Sequence, residues 1–292
     1  MTRSVLDNAL LLQAIAGSDN IDDRSFAAPS PSHAPKYYDN LCHAANARDL
    51  SDVKIGIISE SLDIPVLDPR VKTCFLAAAE GLRELGANVS EVSIPIHRDG
   101  SKIWTGVSKV GGYLTRMHGA AGRRGHNMIE LNSLLHESLR DRDRWDKAYV
   151  ATKNIYLNGA YAEKEYPGLL GKAANLSRKL RDAYDAALGQ YDVLITPTLP
   201  YVATSHPAPN ASPLEQIKKQ VGLTSNTCQF NQTGHPALAM PVGMLTPLEG
   251  PGAGVDRIKL PVGMQIIGRW WAEEMVFRVG HAWELNNDWR HL

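Results

Sequence analysis

Residues 53–95, VKIGIISESLDIPVLDPRVKTCFLAAAEGLRELGANVSEVSIP, decide the fold class. The opening run Val53-Lys54-Ile55-Gly56-Ile57-Ile58 is short and β-branched, and it reads as a buried strand. Asp68 and Pro69 then start a helix, with Pro69 in the first turn, where its missing N–H costs no hydrogen bond. Val71, Phe75, Ala78, Leu82 and Leu85 follow at helical spacing and give that helix one apolar face. Gly86 ends it, and residues 87–95 alternate like a second strand. Strand, helix, glycine, strand is a βαβ unit, so the sheet is at least partly parallel.

Working outward, residues 1–17 (MTRSVLDNALLLQAIAG) read as a helix with Ser4 at the N-cap, Asp7 three residues on and Gly17 as the stop. Asp7, Asn8 and Gln13 interrupt its apolar run, and no small-residue cleavage site follows, so it does not read as a signal peptide. Residues 18–35, rich in Ser, Asp and Pro, are expected to be a surface connection. Residues 96–188 are helical in character. Within them Arg140-Asp141-Arg142-Asp143-Arg144 alternates in sign like a solvated helix face, and residues 176–188 form an amphipathic helix stopped by Gly189. Asp192-Val193-Leu194-Ile195 reads as a strand that runs into Thr196-Pro197-Thr198. Residues 237–242 (ALAMPV) and 262–267 (VGMQII) read as two more, separated by a Gly/Pro-rich excursion at 248–255. Residues 272–285 form a closing helix. The expected class is α/β, a mixed twisted sheet covered by helices on both faces.

Composition narrows the partners. Lys plus Arg (31) equals Asp plus Glu (31), whereas a polyanion-binding face would leave a basic excess, so no nucleic-acid partner is expected. No apolar run reaches the roughly 20 residues of a membrane helix, so no membrane partner is expected. Cys42, Cys74 and Cys228 stand far apart; that spacing excludes a disulfide framework or a CxxC zinc site and points to reduced thiols in a cytoplasmic setting. The ten histidines show no HxH or HxxxH spacing, and neither a metal nor a cofactor is expected. No GxSxG elbow occurs. Cys228 lies near His235 in sequence but reads as a buried structural thiol, and the tryptophans at 270, 271, 283 and 289 as packing for the closing helix or a subunit contact.

Five ordered segments resemble the amidase-signature family: residues 2–17, the βαβ unit with its KIG and ELGANV elements, YDVLITPT at 191–198, FNQTGHPA at 230–237, and PVGMQIIG at 261–268. The resemblance implies hydrolysis of the carbon–nitrogen bond of small amides. It also implies a serine nucleophile in a Gly-Gly-Ser-Ser-Gly-Gly-Ser-like segment, activated through a second serine by an upstream lysine, because a serine hydroxyl is a poor nucleophile until a base takes its proton. This chain contains no Ser-Ser dipeptide, and Gly111-Gly112 is followed by Tyr113. No catalytic residue is therefore carried across. The family places the missing elements before the helix that opens this chain. Residues 1–292 are thus expected to be the C-terminal portion of a single amidase-signature domain, cut upstream of Met1 and inactive alone.

The resemblance further implies that residues before the Asn-x-x-Gly-x-Pro turn approach the substrate. These are Asn226, Thr227, Cys228, Gln229, Phe230 and Asn231; on their own chemistry, Cys228 and Phe230 read equally well as core fillers and Asn231 as a turn cap. A small amide is the expected substrate of a complete homologue, and the balanced charge points away from an amidotransferase role. A shared sheet missing some of its strands would expose an edge, so a homo-oligomer or a covering partner is expected. Competing readings are a non-catalytic binding protein derived from an amidase and an incomplete gene model.

Overall fold

The computed structural model describes residues 1–22, 25, 27–44, 46–118, 129–248 and 258–291. The βαβ unit is present as read: β1 (Lys54–Ile58) lies parallel to β2 (Asn88–Val92), with α3 (Pro69–Glu84) between them in the chain. The Asp68 carboxylate caps α3 by accepting from the Arg70 amide at 2.9 Å. The turn after α3 requires Gly86 at φ +94°, where a Cβ would also meet the Ser51 backbone at 3.1 Å.

On its other side β1 pairs in parallel with β3 (Val193–Pro197). Antiparallel β5 (Leu260–Gly268) and β4 (Ala237–Leu245) complete the five-stranded order β2-β1-β3-β5-β4. The sheet is mixed. β4 extends beyond the expected 237–242 and carries Pro241, which an outer strand tolerates because its free side has no ladder to lose; the register shifts between Pro241 and Gly243.

Alternation along the strands divides the core into two layers. Ile55, Ile57, Val193, Ile195, Met264 and Ile266 point to a layer made by α3 and α11 (Glu273–Asn286), joined by Val5 and Ala9 of α1 (Val5–Ile15) and by Tyr37 and Leu41 of α2 (Tyr37–Cys42). Ile58, Leu194 and Ile267 point the other way, onto Leu180, Tyr184 and Leu188 of α8 (Leu169–Leu188) and onto Phe230. Both faces are covered, as the near-continuous apolar strands require. The Ser4 hydroxyl accepts from the Asp7 amide at 3.0 Å, capping α1, and the Val5 amide donates to the Glu284 carboxylate of α11 at 2.8 Å. The two ends of the chain are thereby joined.

The helical region resolves into α4 (Gly100–His118), α5 (Ile129–Arg140), α6 (Arg142–Lys147), α7 (Val150–Glu165) and α8. Helix α8 starts seven residues before the expected 176, because Leu169 and Ala173 continue its apolar stripe. The alternating charges at 140–144 are exposed, yet they straddle a helix boundary: Asp141 leaves the helix to accept from the Asp143 and Arg144 amides and so starts α6. The tryptophans do not cluster. Trp283 is fully buried and Trp289 packs on the same core, whereas Trp270 and Trp271 are exposed. Residues 249–255 of the Gly/Pro-rich excursion and His126 lie outside the described residues. Among the described residues no helix is long and apolar enough to cross a membrane.

Helix α7 can approach α4 only because residue 159 lacks a side chain. A Cβ there would stand 2.2 Å from Tyr113 Cβ and 2.6 Å from the Lys109 carbonyl, and a backbone atom cannot swing aside. Gly159→Ala is expected to destabilise the chain by about 1–3 kcal/mol through overpacking, read as a lower urea midpoint; an unchanged midpoint would mean that α7 does not seat on α4 this closely.

Candidate functional site

The three mutually parallel strands end together, at Ile58 of β1, Val92 of β2 and Pro197 of β3. Carboxyl ends of parallel strands are where α/β sheets present their sites, because the loops leaving them converge there. At this end of the sheet Glu60, Ser61, His97, Asn226 and Gln229, from the segments between strands, meet Thr196 of β3 and Gln265 of β5 as a group of buried polar side chains.

Asn226 is the junction. Its Nδ2 donates to the Ser61 carbonyl at 3.2 Å and to the Pro197 carbonyl at 3.1 Å, joining the exits of β1 and β3. Its Oδ1 is therefore the acceptor for His97 Nε2 at 3.1 Å, so the neutral imidazole carries its proton on Nε2. The other ring nitrogen then accepts from the Tyr184 hydroxyl at 2.7 Å. One directional chain runs from Tyr184 through His97 and Asn226 to two backbone carbonyls. Around it, Gln265 Nε2 donates to the Asn226 carbonyl at 3.1 Å and Gln229 Nε2 to the His97 carbonyl at 3.3 Å.

Burial sets the charges. It pulls the His97 imidazole below the usual histidine value, against the opposing pull of Asn226 and Glu60, and it pushes the Tyr184 phenol well up. Burial also raises the Glu60 carboxyl, but donation from the Ile94 amide at 2.8 Å and the Ser93 hydroxyl at 2.7 Å outweighs it, so Glu60 stays below its ordinary value. His235, whose Nδ1 meets the Thr233 hydroxyl at 2.9 Å and whose Nε2 meets Asp185 at 3.1 Å, is also lowered, burial outweighing the Asp185 carboxylate.

The six residues nominated from the sequence fall into different surroundings. Asn226 and Gln229 belong to the buried network. Cys228 is fully buried, its Sγ donating to Gln229 Oε1 at 3.4 Å and its thiol pushed up to about 12 by burial. Phe230 packs on Tyr184 with ring centroids 5.0 Å apart. Thr227 is half-buried before the short helix α10 (Cys228–Thr233), which occupies the first half of the turn expected from Asn231 and ends at Gly234. Asn231 is exposed and faces a cavity of about 320 Å³ beside Trp104, Ser177 and Arg181. Adjacent helical residues point in different directions, so neighbours in sequence part company here.

His97, Tyr184 and Gln265 were missed, for they are isolated polar residues within apolar surroundings, 87 residues apart in the case of the first two. A hydroxyl–amine pair was missed as well: Lys219 Nζ donates to Ser205 Oγ at 2.7 Å and to the Ser205 carbonyl at 3.0 Å, at the edge of a cavity of about 590 Å³ lined by Val66, Tyr201 and Lys219. Among the described residues no group of three His, Cys, Asp or Glu could hold a metal ion. Both nitrogens of His97 are engaged by protein, and the network can therefore shape a wall and hold backbone in place.

Asn226→Ala is expected to lower stability by about 2–3 kcal/mol, since two carbonyls and His97 lose a buried partner at once; a chemical-denaturation midpoint within experimental error of the parent would contradict the network. Stability is also expected to fall as pH drops below the free-histidine value of about 6.5. The unfolded chain takes up protons there before His97 and His235 can, because both are held lower in the fold. A flat melting temperature between pH 7 and pH 5.5 would contradict the neutral imidazoles.

Residues 1–277 match the Amidase family. An enantioselective amidase from Rhodococcus rhodochrous is 31% identical over 92% of this chain and 48% of that protein. A glutamyl-tRNA(Gln) amidotransferase subunit from Synechococcus sp. (strain WH7803) is 30% identical over 97% of this chain and 53% of its own length. Among solved structures, a 6-aminohexanoate cyclic dimer hydrolase superposes with a TM-score of 0.69 at 19% identity, over 99% of this chain and 54% of that one. A bacterial aryl acylamidase of the amidase signature family superposes with a TM-score of 0.68 at 19% identity, over 99% of this chain and 52% of that one. The chain spans about half the length of the relatives it matches. Amidases and amidotransferase subunits both stand among those relatives, and on the family match over residues 1–277 the chain belongs to the amidase family.

Proposed function

We propose that this chain is the C-terminal portion of a single amidase-signature domain. In that reading it supplies a wall of the substrate site, and the complete form cleaves the carbon–nitrogen bond of a small amide in the cytoplasm. The observation that carries the reading is the Amidase match over residues 1–277 together with the polar network at the carboxyl ends of the parallel strands. Asn226, Thr227, Cys228, Gln229, Phe230 and Asn231 are proposed as the wall segment. The buried members would hold its backbone, and Thr227 and Asn231 would present polar groups outward.

By itself the chain is proposed to be inactive. Its sequence has no Ser-Ser dipeptide for a nucleophile relay. The Ser205–Lys219 pair is not proposed to replace one, since it lacks the second serine that the relay requires. Among the described residues no strand pairs with the outer side of β4, and that side is proposed to be covered by a second copy or a partner chain, as an unpaired edge favours association. A second reading, a binding protein without turnover, rests on the same open edge.

The test is ammonia release from a panel of small aliphatic and aryl amides by the purified chain. No turnover is expected. Turnover that disappears in Ser205→Ala would overturn the inactivity and identify the nucleophile. Light scattering on the same sample is expected to give a mass above 32.0 kDa; a monodisperse monomer with a sharp thermal transition would refute the covered edge.

A further inference from the structure

A second cavity, about 600 Å³, lies between α4, α7 and the first turns of α8. Much of its lining is apolar, with Ile103 and Val110 from α4 and Leu169 and Leu176 from α8. Three lysines also line it, Lys102, Lys109 and Lys172, against one carboxylate, Asp99. Asp99 is committed, since its Oδ1 accepts from Lys102 Nζ at 2.8 Å. Lys109 and Lys172 have no acidic partner among the described residues.

This arrangement is unusual for a structural cavity. A lysine on a helix flank ordinarily reaches water, with its methylenes covering apolar neighbours. Lys109 is instead half-buried, and burial alone pulls its ammonium below the usual lysine value. A desolvated cation without a counter-ion is costly, and an anion delivered into the cavity would relieve that cost. Lys109 lies seven residues after Lys102, two helical turns along the same face of α4. Between them, Gly106 lets α8 come close: a Cβ there would stand 2.9 Å from Ala173 Cβ. Gly106 and Ala173 both line the cavity, so the close helix crossing that they permit is part of its wall.

We propose that this cavity binds a small amphipathic monocarboxylate, an aryl- or branched-alkyl acid, with its carboxylate at Lys109 and Lys172 and its apolar part against Ile103, Val110, Leu169 and Leu176. The apolar lining selects against a compact inorganic anion, and the unpaired positive charge selects against a neutral amide of the same shape. The inference does not rest on amide hydrolysis by this chain.

The test is isothermal titration of the full chain with 4-phenylbutyrate, the matching neutral 4-phenylbutyramide, and inorganic phosphate. The acid is expected to bind about tenfold more tightly than the amide, the size of one partly desolvated charge contact, and phosphate more weakly than either. Lys109→Met keeps the side-chain length and removes the charge; it is expected to erase the preference for the acid while leaving amide binding unchanged. Lys172→Met is expected to weaken acid binding in the same sense, and Lys102→Met to leave it unchanged because Asp99 already pairs that lysine. Leu169→Trp, which fills the cavity, is expected to abolish binding of both organic probes. Thermal melts of each variant confirm folding. Equal affinity for acid and amide, no acid binding, phosphate binding tighter than the acid, or full acid affinity in a folded Lys109→Met and a folded Lys172→Met would each overturn the proposal.

Discussion

The Asn226 side chain is the constraint on which the site end of the molecule depends. A carboxamide has two donors and one acceptor with two lone pairs, and here the donors close on the carbonyls that leave β1 and β3 while the acceptor takes His97. Those carbonyls lie where the parallel ladder has ended and no neighbouring strand can serve them. Without such a partner they would be buried and unsatisfied, at a cost comparable to the net worth of several hydrogen bonds. The junction also fixes the direction of the line: with Asn226 accepting from His97 Nε2, the neutral imidazole accepts from the Tyr184 hydroxyl. Burial, against the opposing pull of Asn226 on His97, is what favours the neutral forms of both rings.

The sheet makes that junction possible. Strands buried on both faces are mostly apolar, so most buried polar groups collect towards the ends, where segments from both layers meet. Thr196 and Gln265 mark the change on β3 and β5, two positions that sit opposite each other in the register. On the far side of α8, the α4–α7–α8 group follows a different rule. Its contacts are set by small residues, Gly106, Gly159 and Ala173, which bring helices close in places and leave a cavity where larger side chains stand between them.

Much of the fold was legible because its signals are local. The β-branched run at 53–58, the Asp68-Pro69 start and the Val71–Leu82 stripe each report a preference that the chain satisfies within a few residues. The start of α8 was less legible: residues 96–188 read as helical in character, but the amphipathic stripe was clear only from 176, and the packing of Leu169 and Ala173 beside α4 extends it. The 140–144 charges were read as solvated, and they are; that Asp141 breaks the helix there depends on whether its carboxylate turns back onto its own backbone, a choice that charge alternation does not encode.

Of the candidate site, the sequence pointed to a segment but not to its geometry. The segment at 226–231 stood out through its family-like pattern, and it does lie at the carboxyl end of the sheet. Which of its side chains turn inward was decided by the helical turn at Cys228–Thr233, which sends Cys228, Gln229 and Phe230 into the protein and Asn231 outward. The sequence by itself determined the alternation, the helix starts and the absence of a Ser-Ser pair, because each is a property of neighbours along the chain. Only the tertiary structure decided that Tyr184, His97 and Asn226 form one hydrogen-bonded line and that Lys109 is short of water, because desolvation and pairing belong to groups that meet across many tens of residues and have no signature until they do.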